Sequence, residues 1–239
     1  MLTVMPGPVA LVGSGEFLPA MAEFDAGLLA ATGRARPRVA ILPTASWPDG
    51  NEVFDRWVAL GVDHFSGLGA EVEPVLVRDR ADADDAAHVQ AVGEADLVYL
   101  SGGNPGHLSE TLAGSRLEMA LLEAHGRGAV LAGCSAGAMV LAERHFELRR
   151  RKLLWPARWC DGLGLVRRVT ILPHYDAWPE PLSVLLAVQA PRGLGVLGID
   201  EGTALVGRDG SWQVHGRSRV TLWRGRHRER FRAGDVFRL

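Results

Sequence analysis

Short apolar runs recur along this chain, each halted by small or polar residues and followed by a stretch with helical spacing. Pro8 to Val12 is the first run, ending in Gly13-Ser14-Gly15-Glu16, and Leu18 to Thr32 reads as a helix. Arg38 to Leu42 is the second, stopping at Pro43-Thr44-Ala45-Ser46; Glu52 to Leu68 then places Val53, Trp57, Leu60 and Phe65 near the period of a helix. Glu71 to Val77 predicts a third strand, and the acidic, Ala-rich Asp82 to Val92 a third helix. Asp96 to Leu100 predicts a fourth strand, ending in Ser101-Gly102-Gly103-Asn104-Pro105-Gly106, before a helical Leu108 to His125 broken at Gly114. Ala129 to Ala132 is the fifth apolar run.

Strands that alternate with helices, with glycines where the strands end, imply an α/β fold around a doubly wound, mostly parallel sheet. Ligands bind such sheets outside the carboxyl ends of the strands. Gly13, Gly15, Gly102, Gly103 and the residues after the fifth strand are therefore expected on one rim of a single sheet. Beyond it, Val169 to Leu172 and Gly195 to Ile199 read as strands, with Pro181 to Gln189 a helix between them. Ala204 to Leu239 alternates in strand fashion with turns at Arg208-Asp209-Gly210 and Arg224-Gly225, which predicts antiparallel hairpins closing one end of the sheet. The expectation is one α/β hydrolytic domain over residues 1–239, with 204–239 as its β-hairpin extension.

Phe146 to Leu165 breaks the rhythm. It carries Arg149-Arg150-Arg151-Lys152, then Trp155, Pro156, Arg158 and Trp159. A loop of this length in a compact domain is commonly functional. Its cations read either as a solvated face or as an electropositive rim for an acidic substrate.

Composition removes several classes of function. Hydrophobic residues are 47% of the 239 and charged residues 23%, an ordinary globular balance. A formal charge of −2 gives no case for nucleic acid or an anionic membrane. The apolar stretch from Leu182 to Ile199 is interrupted by Gln189 and Pro191-Arg192-Gly193, so no membrane span is expected. The first residues lack a basic region and a cleavage pattern, so no signal peptide is expected and the localisation read from them is cytoplasmic. The two cysteines, Cys134 and Cys160, make no disulfide framework, and no Cys/His spacing suggests a zinc site; neither a metal nor a cofactor is expected.

The fifth run delivers Gly133-Cys134-Ser135-Ala136-Gly137, followed by the helical-looking Ala138 to Glu143. Strand, G-x-S-x-G and helix together make a nucleophile elbow. The turn is tight enough that its flanks must be small, and it lifts the Ser135 hydroxyl clear of the sheet. The Ala136 N–H then lies where it can meet a developing oxyanion. Cys134 faces elsewhere in that geometry and reads as a small buried hydrophobe. A serine hydroxyl needs an imidazole to take its proton, and the imidazole needs a third group to orient it. Of eight histidines, His174 is the best placed, in Pro173-His174-Tyr175-Asp176 directly after an apolar strand. His107, just past the glycine loop, is a second candidate by position. Asp200 and Glu201 follow the next strand, and either could orient His174.

The segments VGSGE, YLSGGN, GCSAGA, GLGL followed by PHYD, and GIDEGTAL together resemble the dipeptidase E and cyanophycinase family of serine peptidases. The resemblance runs in order from about Val9 to Leu205. It implies a flavodoxin-like, class I glutamine-amidotransferase-like fold with serine where the amidotransferases carry cysteine. It also implies Ser135 as nucleophile, His174 as general base then acid, and Glu201 as the orienting carboxylate. The oxyanion hole implied is the Ala136 N–H with that of Gly103, and Gly102 and Asn104 face the substrate. The substrate implied is a small aspartyl or β-aspartyl peptide, with Arg158 in the Arg-rich region holding its carboxylate. The Trp/Arg-rich loop and the Arg-rich tail have no counterpart in the pattern and are read as a cap or a contact between copies, so a homodimer stays open. Two other readings remain. An α/β-hydrolase esterase would need the order Ser, acid, His, supplied here only by Asp176 or Asp200 and then His215 or His227. A catalytically inactive amidotransferase-like binding module would keep the fold without the reaction.

Overall fold

The computed structural model of the chain describes residues 5–147 and 157–239. Its first five strands are β1 (Val9–Val12), β2 (Arg38–Leu42), β3 (Glu71–Pro74), β4 (Leu97–Leu100) and β5 (Val130–Cys134). They pair in parallel in the order β1-β5-β4-β2-β3. Successive side chains on a strand point to opposite faces, which sorts the apolar runs into two layers. Ala10, Val12, Val39, Ile41, Leu97 and Tyr99 join one cluster with Leu28 and Phe65 from the helices Ala22–Ala31 and Asn51–Gly67. Leu11, Ala40, Leu42, Val98 and Leu100 join the other with Leu108 and Leu121 from the helices Pro105–Leu112 and Arg116–Gly126. Burying one such Leu, Ile or Phe is worth about 1.5–3 kcal/mol. Both faces of β1, β2, β4 and β5 are covered, and this is why those runs are apolar almost throughout, whereas the edge strand β3 alternates as Glu71-Val72-Glu73-Pro74.

The remaining strands are β6 (Arg144–Glu147), β7 (Arg158–Asp161), β8 (Val169–Leu172), β9 (Gly195–Ile199), β10 (Thr203–Arg208), β11 (Ser211–Gly216), β12 (Arg219–Arg224), β13 (His227–Arg232) and β14 (Val236–Arg238). Here the single-sheet expectation is corrected. β8 and β9 pair in parallel with each other, but β9 then pairs antiparallel with β12 and β12 with β13, making a separate four-stranded sheet. β10, β11 and β14 extend the large sheet antiparallel from β1, so the C-terminal hairpins are divided between the two sheets. The chain changes sheets at Asp200 to Gly202, between β9 and β10. Neither sheet alone holds the carboxyl ends of both β5 and β8.

Smaller departures have local causes. The helix expected over Asp82 to Val92 is two, Arg80–Ala83 and Ala86–Glu94, because Asp79 and Asp85 each accept the N–H groups two and three residues on and so start a helix twice. The third strand stops at Pro74, on the edge of the sheet, and the Val75 N–H makes the last bond to β2, to Ile41 O at 2.9 Å. The helix at Leu108 begins earlier, at Pro105, capped by the Asn104 side chain. Within the expected long loop, β7 pairs antiparallel with β6. Arg149 to Lys152, with Trp155 and Pro156, lie outside the described residues.

Candidate active site

The elbow has the sterics its sequence demands. Ser135 follows β5 with φ 50° and ψ −111°, a backbone conformation a non-glycine residue adopts only under constraint. The constraint is close packing on both sides. A Cβ on Gly133 would lie 2.5 Å from the carbonyl carbon of Gly137, and one on Gly137 would lie 2.1 Å from the carbonyl oxygen of Leu100. Ser135 donates its N–H to Val12 O at 3.0 Å, and Ala136 opens the helix Ala136–Leu141. The first N–H groups of a helix have no partner within it.

The base and the acid arrive from the second sheet. His174, just past β8, takes a left-handed conformation with φ 50° and ψ 39°. Its N–H donates to Gly13 O at 3.3 Å, tying the end of β8 to the end of β1. Gly13 is itself a point of contact: a Cβ there would lie 2.4 Å from Asp200 O and 2.7 Å from Ile199 O. This approach brings the mouth of β9 beside β1. His174 Nε2 then lies 3.1 Å from Ser135 Oγ, and Nδ1 lies 2.9 Å from Glu201 Oε1. With the proton on Nδ1 held by Glu201, Nε2 is the free acceptor that a general base needs.

The structure separates Asp200 from Glu201. Asp200 is buried, 2.7 Å from the Ser218 hydroxyl and 3.4 Å from Arg219, and burial pushes its carboxyl above the usual range. Glu201 is the carboxylate on His174. Asp176 accepts the Glu201 N–H at 2.9 Å, a bond to backbone that sequence reasoning missed although Asp176 closes the PHYD segment. His107 places Nε2 2.8 Å from Arg78 O, a structural contact. His215 lies against Phe24 with ring centroids 5.6 Å apart, and His227 is exposed beside Glu229, so the order Ser, acid, His is not assembled here.

Ala136 is buried, while Gly103, the other oxyanion candidate, shares with the serine a cavity of about 450 Å³. It is lined by Ser135, His174, Gly103, Asn104, Asp49 and Glu147, with Phe146 and Trp178 meeting edge to face as one wall. Gly103 has φ 139°, and a Cβ there would lie 2.2 Å from Ala45 O, so only glycine fits. Its neighbours' N–H groups are both taken, Gly102 by Glu16 at 2.9 Å and Asn104 by Ala45 O at 2.7 Å. The Gly103 N–H has no such partner among the described residues. Asn104 caps the following helix by accepting the His107 N–H at 3.0 Å while also lining the cavity. Arg158 is outside that lining, on β7, 3.4 Å from Glu147 and 4.0 Å from Glu110. Cys134 is fully buried with its thiol 2.7 Å from Glu16 Oε2, and burial together with that carboxylate pushes its pKa well up, so it is a donor rather than a thiolate. Among the described residues no group of three or more His, Cys, Asp or Glu could hold a metal ion, and no helix is long and apolar enough to cross a membrane.

An α/β fold presenting Ser, His and Glu in that chain order at the junction of two sheets defines a hydrolase-like class of site. The chain belongs to peptidase family S51, whose model matches residues 9–215. It is 34% identical over 170 residues to the cyanophycinase of Synechococcus elongatus, covering 67% of this chain and 52% of that one. The chain thus spans about half the length of that curated relative. The crystal structure of a peptidase from an acI-B1 Actinobacterium superposes with a TM-score of 0.87 at 33% identity, covering 99% of this chain and 98% of that one. A Listeria monocytogenes EGD-e protein named for peptidase E shares the fold, with a TM-score of 0.64 at 19% identity over 89% of this chain and all of that one (100%).

Proposed function

We propose that the protein is a serine peptidase that hydrolyses a small peptide through an acyl-enzyme, on a fold of the flavodoxin-like, class I glutamine-amidotransferase-like kind. One observation carries the reading: the Ser135 Oγ to His174 Nε2 to Glu201 relay, 3.1 Å and 2.9 Å, opens onto the cavity that holds Gly103. His174 takes the Ser135 proton as Oγ attacks the scissile carbonyl carbon. The tetrahedral oxyanion is met by the Ala136 and Gly103 N–H groups, and His174 returns the proton to the departing amine. Water then repeats the sequence on the ester and frees Ser135.

The cavity also bears on the substrate. Its lining carries the carboxylates Asp49 and Glu147 and, among the described residues, no arginine or lysine. Arg158, expected to hold a substrate carboxylate, is instead held by Glu147 and Glu110. Glu147 being paired with Arg158, Asp49 is the lining carboxylate left without an ion pair among the described residues. It favours a substrate with a cationic group, and with the cyanophycinase relatives it supports a β-aspartyl peptide bearing a basic residue. The test is labelling with a serine-reactive fluorophosphonate, followed by turnover of β-aspartyl-arginine and aspartyl-leucine. Wild type is expected to label and Ser135→Ala to stay unlabelled, with β-aspartyl-arginine the faster substrate. Wild type that neither labels nor turns over either peptide would leave the binding-module reading.

A further inference from the structure

The buried carboxylate behind the elbow has no part in the relay, yet it touches both strands that carry reacting groups. Glu16 is 6% exposed. It sits where the backbone turns left-handed on either side, at Gly15 (φ 87°) and Phe17 (φ 63°), directly after β1. Oε1 accepts the Gly102 N–H at 2.9 Å, and Oε2 lies 2.7 Å from the Cys134 thiol. β1, β5 and β4 are neighbours in the large sheet, so one side chain spans three adjacent strand ends. Each bond falls one residue before a reacting group: Cys134 precedes Ser135, and Gly102 precedes Gly103.

We propose that Glu16 is a positioning residue that aims the Gly103 N–H into the oxyanion hole, an inference that rests on the peptidase reading above. A buried carboxylate is costly unless both oxygens are hydrogen-bonded, and both are used here. The approach is close enough that a Cβ on Gly102 would lie 2.7 Å from Oε1 and 3.4 Å from the Ser135 Cβ. With Gly102 tied to Glu16 and Asn104 N–H tied to Ala45 O, the intervening peptide is fixed from both sides. Among the described residues the Gly103 N–H between them has no partner. An oxyanion donor works only if it is aimed before the charge develops, and losing one costs about 10²–10³ in kcat elsewhere.

The experiment compares Glu16→Leu and Glu16→Gln in the full chain, with Ser135-dependent labelling of wild type measured first as an independent check on the peptidase reading. Glutamine keeps an acceptor for the Gly102 N–H and is expected to hold kcat for β-aspartyl-arginine within about threefold of wild type. Leucine removes it and is expected to lower kcat by about tenfold or more with KM unchanged, since ground-state binding does not need the oxyanion donor. In parallel, hydrogen exchange at the Gly102 amide reads the clamp without any turnover, and serves if the leucine variant does not fold. Slow exchange at Gly102 in wild type, faster in the substituted chains in the order Gln then Leu, supports the proposal. A folded Glu16→Leu chain with wild-type kcat, equal losses in both variants, or a wild-type Gly102 amide that exchanges like an open loop would each overturn it.

Discussion

The nucleophile and its two partners are held in opposite ways. Ser135 rests on backbone packed against backbone: Gly133 on Gly137, Gly137 on Leu100 O, and a strained φ of 50° between them. His174 and Glu201 come from another sheet, with side chains 39% and 44% exposed, and reach the serine across hydrogen bonds to Gly13 O and Asp176. One arm is set when the large sheet folds, because the packing that makes the sheet makes the elbow. The other depends on two sheets docking correctly, and a change there can disturb the chemistry without unfolding the chain.

Substitution can break that contrast. The largest effect is expected at Gly137→Val, where a branched side chain meets Leu100 O and nothing can move aside. No soluble folded chain should be recovered, in contrast to Ser135→Ala, as read by yield and circular dichroism. Next is Glu201→Gln, on the open arm. It should fold with an unchanged melting temperature yet lose about a hundredfold or more in kcat/KM, because the amide can present its NH2 to Nδ1, favouring the wrong tautomer, and carries no charge to stabilise the imidazolium. A Glu201→Gln chain that misfolded would erase the distinction between the arms.

The smallest effect concerns pH and the ribbon that walls the cavity. His145 on β6 is fully buried, with no hydrogen-bond partner for either ring nitrogen among the described residues, and burial holds its pKa below the ordinary 6.5. The unfolded chain therefore takes up a proton that the folded chain resists. This contribution to stability is present above 6.5 and is lost as the pH falls through the lowered folded value. His145→Leu should flatten the fall in melting temperature between about pH 7.5 and 5.5. Burial lowers His125 and His215 in the same direction, so the slope should lessen rather than vanish.

What could be read in the sequence divides along the same line. The first five strands and the elbow were legible because their signals are local: an apolar run, a glycine stop, a helix. The second sheet was not, since nothing within Gly195–Ile199 says that it pairs with Arg219–Arg224 rather than joining β5. The backbone contacts of Glu16 and Asp176 were missed for a related reason. Each acts by accepting a backbone N–H from a distant segment, 86 and 25 residues away, and a carboxylate of that kind leaves no spacing to notice. The doubled helix start at Asp79 and Asp85 was legible by capping and was overlooked in favour of composition.

Position 13 shows how much can hang on a residue with no reactive group. Only a hydrogen atom there lets β1 sit against the carbonyls leaving β9. Put any larger residue in its place and every acid, base and hydroxyl would survive on paper while their alignment was lost. A relative that keeps all three reactive side chains but not this glycine would be mistaken for a working enzyme by anyone matching motifs alone.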